Sequence, residues 1–223
     1  MKSKLITAAL ISMAPAGGLR RWLYRTVMGY EIDPSASIGP LTVIAVEKCT
    51  IGPKVRIGAL NLFKGPMTVT IGARSRIGRF NEFTSNWKIA DNERFGHMRY
   101  TPELDLGEGC LVLHQHYFDV YGRLALGDGS WVAGVRSQFW THGVSVMDRD
   151  IVIGRNNYIG TGVMFAPGSG IGDGNLVAMG AVVTSRVEGD DSMIGGSPAK
   201  VLRSIAEQKQ AGKYRFSFED WAD

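Results

Sequence analysis

The sequence predicts an all-β chain wound as a parallel β-helix, and three observations carry that expectation. Large aliphatic or aromatic residues recur every sixth position, in the triplets Ile32/Ile38/Ile44, Ile51/Ile57/Phe63, Ile71/Ile77/Phe83, Leu106/Val112/Phe118, Leu126/Val132/Gln138, Ile153/Ile159/Phe165 and Ile171/Val177/Val183. A period of six matches neither the two of a strand nor the 3.6 of a helix. It suits a coil in which each hexad supplies one short strand and one turn. Second, insertions fall between triplets and not within them, so three hexads close one triangular coil. Seven such coils, stacked about 4.8 Å apart, make a rod of roughly 34 Å. Third, most of the 29 glycines stand beside the periodic aliphatics, as turn residues would.

Residues 1–30 form an N-terminal extension expected to be helical. Lys2 and Lys4 precede the apolar run Leu5–Ala14, and Ala14-Pro15-Ala16 follows, which imitates a secretory signal. The run is too short to span a bilayer. Leu19, Trp22, Leu23, Thr26 and Val27 share one helical face, with Arg20, Arg21 and Arg25 around the rest. Three readings stay open: a cap on the first coil or an oligomer contact, a helix lying on an anionic membrane surface, and a cleaved signal.

The β-helix domain takes residues 31–187. Its insertions fall in the gaps 44–51, 63–71, 83–106, 118–126 and 138–153, which stacking places on one edge. The long excursions 84–105 and 139–152 therefore share that edge, where a rigid scaffold commonly carries its functional loops. In the third column Phe63, Phe83, Phe118 and Phe165 form an inward ladder that Gln138 interrupts. An inward polar residue needs a partner; Gln138 either supports the neighbouring loop or bonds a turn amide. Residues 188–223 form the C-terminal tail, with a short helix.

Composition narrows the function. The net charge is +4, and basic residues gather at the ends, including Lys200, Arg203, Lys209, Lys213 and Arg215. They do not interleave with aromatics on one face, which argues against nucleic acid. The C-terminal cluster suits a polyphosphate ligand, or is a solvated face. Two cysteines, Cys49 and Cys110, lie on separate coils, which excludes a disulfide framework and fits a reducing compartment. Gly170-Ile171-Gly172-Asp173-Gly174 superficially suggests a dinucleotide loop, but no helical pattern follows it.

The stretch from Trp140-Thr141-His142 through IVIGRNNYIGTGVMFAPGSGIGDGNLVAMGAVVTSRV to IGGSPAKVLR (194–203) resembles the hexapeptide-repeat acyltransferases, and bacterial saccharide O-acetyltransferases in particular. The specific motifs cover about 126–203, with Gly196–Lys200 the most telling. The resemblance implies a left-handed coil, a cytoplasmic homotrimer, and transfer of an acetyl group from acetyl-CoA, with no metal. It implies His142 as the base that deprotonates an acceptor hydroxyl. The acceptor it implies is a saccharide or polysaccharide precursor, with His114, His116, Tyr117, Asp119 and Trp140 as candidates to bind it. Pantetheine would run past Thr161, Met179, Gly180, Thr184 and Ser185, and Lys200 and Arg203 would meet the CoA phosphates. Met179 and Ser185 depart from the family pattern, which has small residues and Lys there. Neither cysteine matches a nucleophile's position, which favours direct transfer over an acyl-enzyme.

Three other readings compete. An N-acetyltransferase of an amino sugar or antibiotic would use the same base. A zinc carbonic anhydrase on the same fold would need three converging histidines, and His114, His116 and His142 lack its spacing. A catalytically silent scaffold would bind no CoA. His97 reads as surface in the longest loop.

Overall fold

The computed structural model describes residues 2–90, 93–143 and 146–214. Short parallel strands stack in register into the expected left-handed β-helix, with few helices and these at the ends and in the long excursion. The first column runs Ile32, Ile51, Ile71, Leu106, Leu126, Ile153, Ile171 and Val187. The second runs Ile38, Ile57, Ile77, Val112, Val132, Ile159, Val177 and Ile194. The winding thus continues past Val187 to Ile194, where the strand Ser192–Gly196 turns back antiparallel into Ala199–Ser204. A short helix, Ala206–Gln210, follows.

The third column differs from the expectation by one residue. It reads Ile44, Phe63, Phe83, Phe118, Phe139, Phe165 and Val183, so Phe139, not Gln138, points inward. The cause is a bulge between Val132 and Val135. Gly134 takes φ +67° there, and a Cβ on it would sit 1.5 Å from Thr161 Oγ1. Only glycine fits. The phenylalanine ladder is therefore unbroken from Phe63 to Phe165, with ring centroids 4.4–5.2 Å apart. Gln138 turns outward and accepts from Trp140 Nε1 at 3.1 Å.

The third edge also behaves in two ways. In the first coils the gaps 44–51 and 63–71 are not loops, because the strands Val43–Ile51 and Leu62–Ile71 run unbroken around it. Higher up the chain leaves the same edge, after Glu82–Thr84 and again after Gln138–Trp140.

The N-terminal segment caps the first coil. Helix α1 (Lys2–Ser12) buries Ala8 and Ile11, and α2 (Gly17–Thr26) buries Arg20 and Tyr24. This reverses the expected orientation of α2, whose Leu19 and Trp22 are exposed while an arginine points in. The reason is the coil's open edge, whose backbone groups lack a preceding coil to bond. Arg20 donates to the Ile38 carbonyl through Nε and Nη2, both at 3.0 Å, and to Ala14 O; Arg21 donates to Ala36 O at 2.9 Å. The Tyr24 hydroxyl accepts from Ile44 N–H and donates to Thr42 O, and Tyr30 does the same for Val46 N–H and Val46 O. Burial pushes the Tyr30 phenol up to about 12 and the Tyr24 phenol higher still, so both stay protonated donors. No helix among the described residues is long and apolar enough to cross a membrane.

Candidate active site

His142 sits where the chain leaves the third edge after Gln138–Trp140. Thr141, fully buried, anchors the departure. Its hydroxyl donates to Asp119 O at 2.6 Å and accepts from the N–H groups of Tyr121 at 2.7 Å and Gly122 at 3.1 Å. The two excursions meet there as the common edge requires. The His142 ring lies 4.6 Å from Tyr121 and 6.5 Å from Tyr100, between centroids, and Tyr100 itself packs edge-on to Tyr121 at 5.3 Å.

Asp119 pairs in register with Trp140 and points outward under this loop, 4% exposed. Its Oδ2 lies 3.8 Å from His142 Nδ1 and has no hydrogen-bond partner. At that distance the contact is electrostatic and not yet a hydrogen bond. The proximity suggests an ion pair, yet the protonation tendencies oppose one. Burial pushes the Asp119 carboxyl up to about 7, against the backbone N–H groups of His142 and Thr141. Partial burial and then the Arg149 charge hold the imidazole below its usual range. Desolvation outweighs pairing, so the imidazole rests neutral, with a lone pair to offer. The His142 side chain keeps 41% of its surface exposed.

Tyr117 and Trp140 stand side by side on the outside of the third face, with centroids 5.0 Å apart. Thr84 donates to the Tyr117 hydroxyl at 3.2 Å. Trp140, two residues before His142, is 38% exposed.

His114 and His116 lie at the opposite end of the strand Tyr117–Asp119, and neither is brought to His142. His116 belongs to a polar ladder inside the second edge, where each coil's side chain receives the next coil's backbone. Asn61 N–H donates to Thr42 Oγ1, Asn81 N–H to Asn61 Oδ1, His116 N–H to Asn81 Oδ1, Ser137 N–H to His116 Nδ1, and Val163 N–H to Ser137 Oγ. At 1% exposure His116 is a rung of the scaffold and does not face an acceptor. Burial and then the neighbouring His114 push its pKa down to about 4. His114 Nδ1 accepts from Arg79 N–H at 3.0 Å. Both rings thus spend one nitrogen on backbone. Among the described residues no group of three His, Cys, Asp or Glu is placed to hold a metal.

The expected cofactor residues lie on the third face of the next two coils. Thr161 and Gly180 sit on its second edge, joined by a bond from Gly180 N–H to Thr161 O at 2.9 Å. Thr161 Oγ1 also accepts from Val135 N–H at 3.1 Å. Met179 is 77% exposed, and Thr184 and Ser185 are exposed beyond the strand Val182–Val183. The Cβ positions of Gly162 and Gly180 face open space, so a ligand chain can approach backbone there. Lys200 and Arg203 project from the outer strand of the terminal hairpin, exposed, and Arg203 donates to the Tyr214 hydroxyl at 2.8 Å. Lys209 is not part of a free basic patch, since it bonds Asp191 and the Gly174 carbonyl. Arg215 and the end of the 188–223 tail lie outside the described residues.

Sequence reasoning missed Tyr121 and Arg149 at this site. Tyr121 follows the Phe118 column position into the short excursion, and Arg149 reads as one solvated charge in Met147-Asp148-Arg149-Asp150. Their roles come from two excursions meeting, which no period reveals.

No family model matches the chain. It is 25% identical over 199 residues to the bifunctional protein GlmU of Mycobacterium ulcerans and 24% identical over 199 residues to that of Mycobacterium marinum, in each case over 81% of this chain. The chain spans 39% of the length of these curated relatives. Among solved structures it is similar to a hexapeptide-repeat-containing acetyltransferase of Vibrio cholerae, at 19% identity and TM-score 0.46 over 92% of each chain. A second structure of that protein holds acetyl coenzyme A, at 18% identity and TM-score 0.37 over 92% of this chain and 88% of that one. A putative acetyltransferase of Bacillus cereus aligns at 16% identity and TM-score 0.48, over 86% of this chain and 85% of that one.

Proposed function

We propose that the protein is an acetyl-CoA-dependent O-acetyltransferase acting on a hydroxyl of a saccharide or polysaccharide precursor. The observation that carries this is His142: a neutral, half-open imidazole with one nitrogen toward the buried Asp119 carboxyl, two residues after the exposed Trp140 and its half-buried partner Tyr117. Acetyl-CoA supplies the activated acyl group as a thioester. With Nδ1 turned toward Asp119, Nε2 is free to take the proton of the acceptor hydroxyl as its oxygen attacks the thioester carbonyl. The imidazolium then returns that proton to the departing CoA sulfur, so His142 ends as it began. Trp140 and Tyr117 offer flat faces for the C–H side of a sugar ring. Thr161, Met179, Gly180, Thr184 and Ser185 line the route for pantetheine, and Lys200 and Arg203 meet the phosphates. His116 has no contact role, and His114 supports the turn.

The reading includes a cytoplasmic homotrimer in which neighbouring subunits complete each site. Leu41, Leu60 and Phe80 support it: they form an apolar ridge up the second edge, each 41–50% exposed, at backbone positions with φ +56° to +61°. Exposed Ile6, Leu10, Met13 and Trp22 beside the basic N-terminal residues support a place at the inner face of the membrane, which flotation with anionic vesicles tests.

The deciding experiment is His142→Ala, assayed against sugars, amino sugars and glycan fragments with acetyl-CoA. Turnover is expected to fall roughly 10²–10⁴-fold, as for loss of a positioned base, with acetyl-CoA binding intact and trimers in sedimentation. Wild-type turnover in a folded variant removes His142 from the mechanism. Product formed only on amines moves the acceptor to the N-acetyl class.

A further inference from the structure

Arg149 stands out as a buried charge without a counter-ion. It is 4% exposed, and among the described residues no carboxylate lies within ion-pair distance of it. Its guanidinium lies 4.5 Å over the Tyr100 ring, and Nη2 donates to the Met98 carbonyl at 2.6 Å. Nη1 is buried with no hydrogen-bond partner. The stem is pressed onto Gly122, where a Cβ would meet Arg149 Cγ at 2.4 Å. An unpaired buried cation is costly, and this one sits where the 84–105 excursion joins the His142 loop.

We propose that Arg149 is a positioning residue for His142: it fastens the segment carrying Met98 and Tyr100 onto the His142 loop, and its uncompensated charge adds to the ring's partial burial in favouring the proton-accepting form of the imidazole. The groups around that imidazole are few. Asp119 faces it from the strand Tyr117–Asp119, Tyr121 from the short excursion, Tyr100 from the long one, and Arg149 from its own loop. Asp119 would favour the imidazolium and the Arg149 charge opposes it, an opposition that solvent at the half-open ring screens in part. A carboxylate partner alone raises the proton affinity of the imidazole, and the arginine's charge acts against that rise. The catalytic significance rests on His142 acting as the base; the effect on the imidazole does not.

The test uses the full chain as Arg149→Gln, which removes the charge and keeps a donor for the Met98 carbonyl, and Arg149→Lys, which keeps the charge. The His142 ring is titrated by NMR, its signal assigned by loss in His142→Ala, alongside the pH profile of turnover. The Gln variant is expected to move the His142 midpoint to higher pH, while the Lys variant leaves it close to wild type. The acid limb of turnover should shift with the midpoint, so the Gln variant loses activity several-fold at pH 6 and far less at pH 8. A midpoint unchanged in a folded Gln variant, or raised equally in the Lys variant, overturns the inference. A midpoint that moves without the acid limb following supports Arg149's effect and counts against His142 as the base.

Discussion

His116 illustrates how one residue type can serve chemistry or architecture according to its place in the coil. Its Nδ1 does the work of an Asn Oδ1 in a ladder whose neighbours are Asn61, Asn81 and Ser137. The imidazole must stay unprotonated to accept from Ser137 N–H, and burial enforces this by holding its pKa at about 4. The unfolded chain protonates near 6.5, so stability is full above that pH and is lost as pH falls from about 6.5 toward 4, by up to about 3 kcal/mol. Asp119, raised to about 7, acts oppositely over the same range. His116→Asn keeps an acceptor for Ser137 and removes the titration. Its melting temperature relative to wild type is therefore expected to rise between pH 7.5 and 5, and an unchanged difference would show that His116 does not bind the proton. The ladder was legible: the residue two before each third-column side chain reads Thr42, Asn61, Asn81, His116, Ser137, Val163, Ala181. Reading His116 with its sequence neighbours, and not with its coil neighbours, hid its role.

Among elements, the columns were legible because each hexad repeats one local chemistry. The exception was Val132 to Phe139, where one extra residue keeps the aromatic inward. That bulge requires glycine at 134, because a side chain there would clash with Thr161, which lies one coil away. The site was legible in part. His142, Tyr117, Asp119 and Trp140 come together, whereas the Tyr100–Arg149 contact depends on how two irregular excursions fold against each other. The terminal hairpin carries its own prediction. Gly195 opposite Lys200 puts that lysine on the outer strand, and Arg203 lies opposite Met193. Replacing Lys200 and Arg203 with Ala should raise the KM for acetyl-CoA about tenfold, from the loss of two charge-assisted contacts. The KM for a short thioester lacking the nucleotide should hardly change. Equal losses with both donors would make the pair structural.

At the scale of the molecule, stacking leaves each coil dependent on the next, and the first coil has nothing before it. Residues 2–30 solve this with two phenols and two guanidinium groups that occupy backbone groups another strand would otherwise seek. A rod with a bare end is a template: a second molecule can dock there and extend it, and so can a third. The cap is thus also a stop on filament growth. Truncating the chain before Tyr30 should give protein that lengthens into fibres as its concentration rises, followed by light scattering and electron microscopy. Truncated protein that stays dispersed would assign the cap to stability alone.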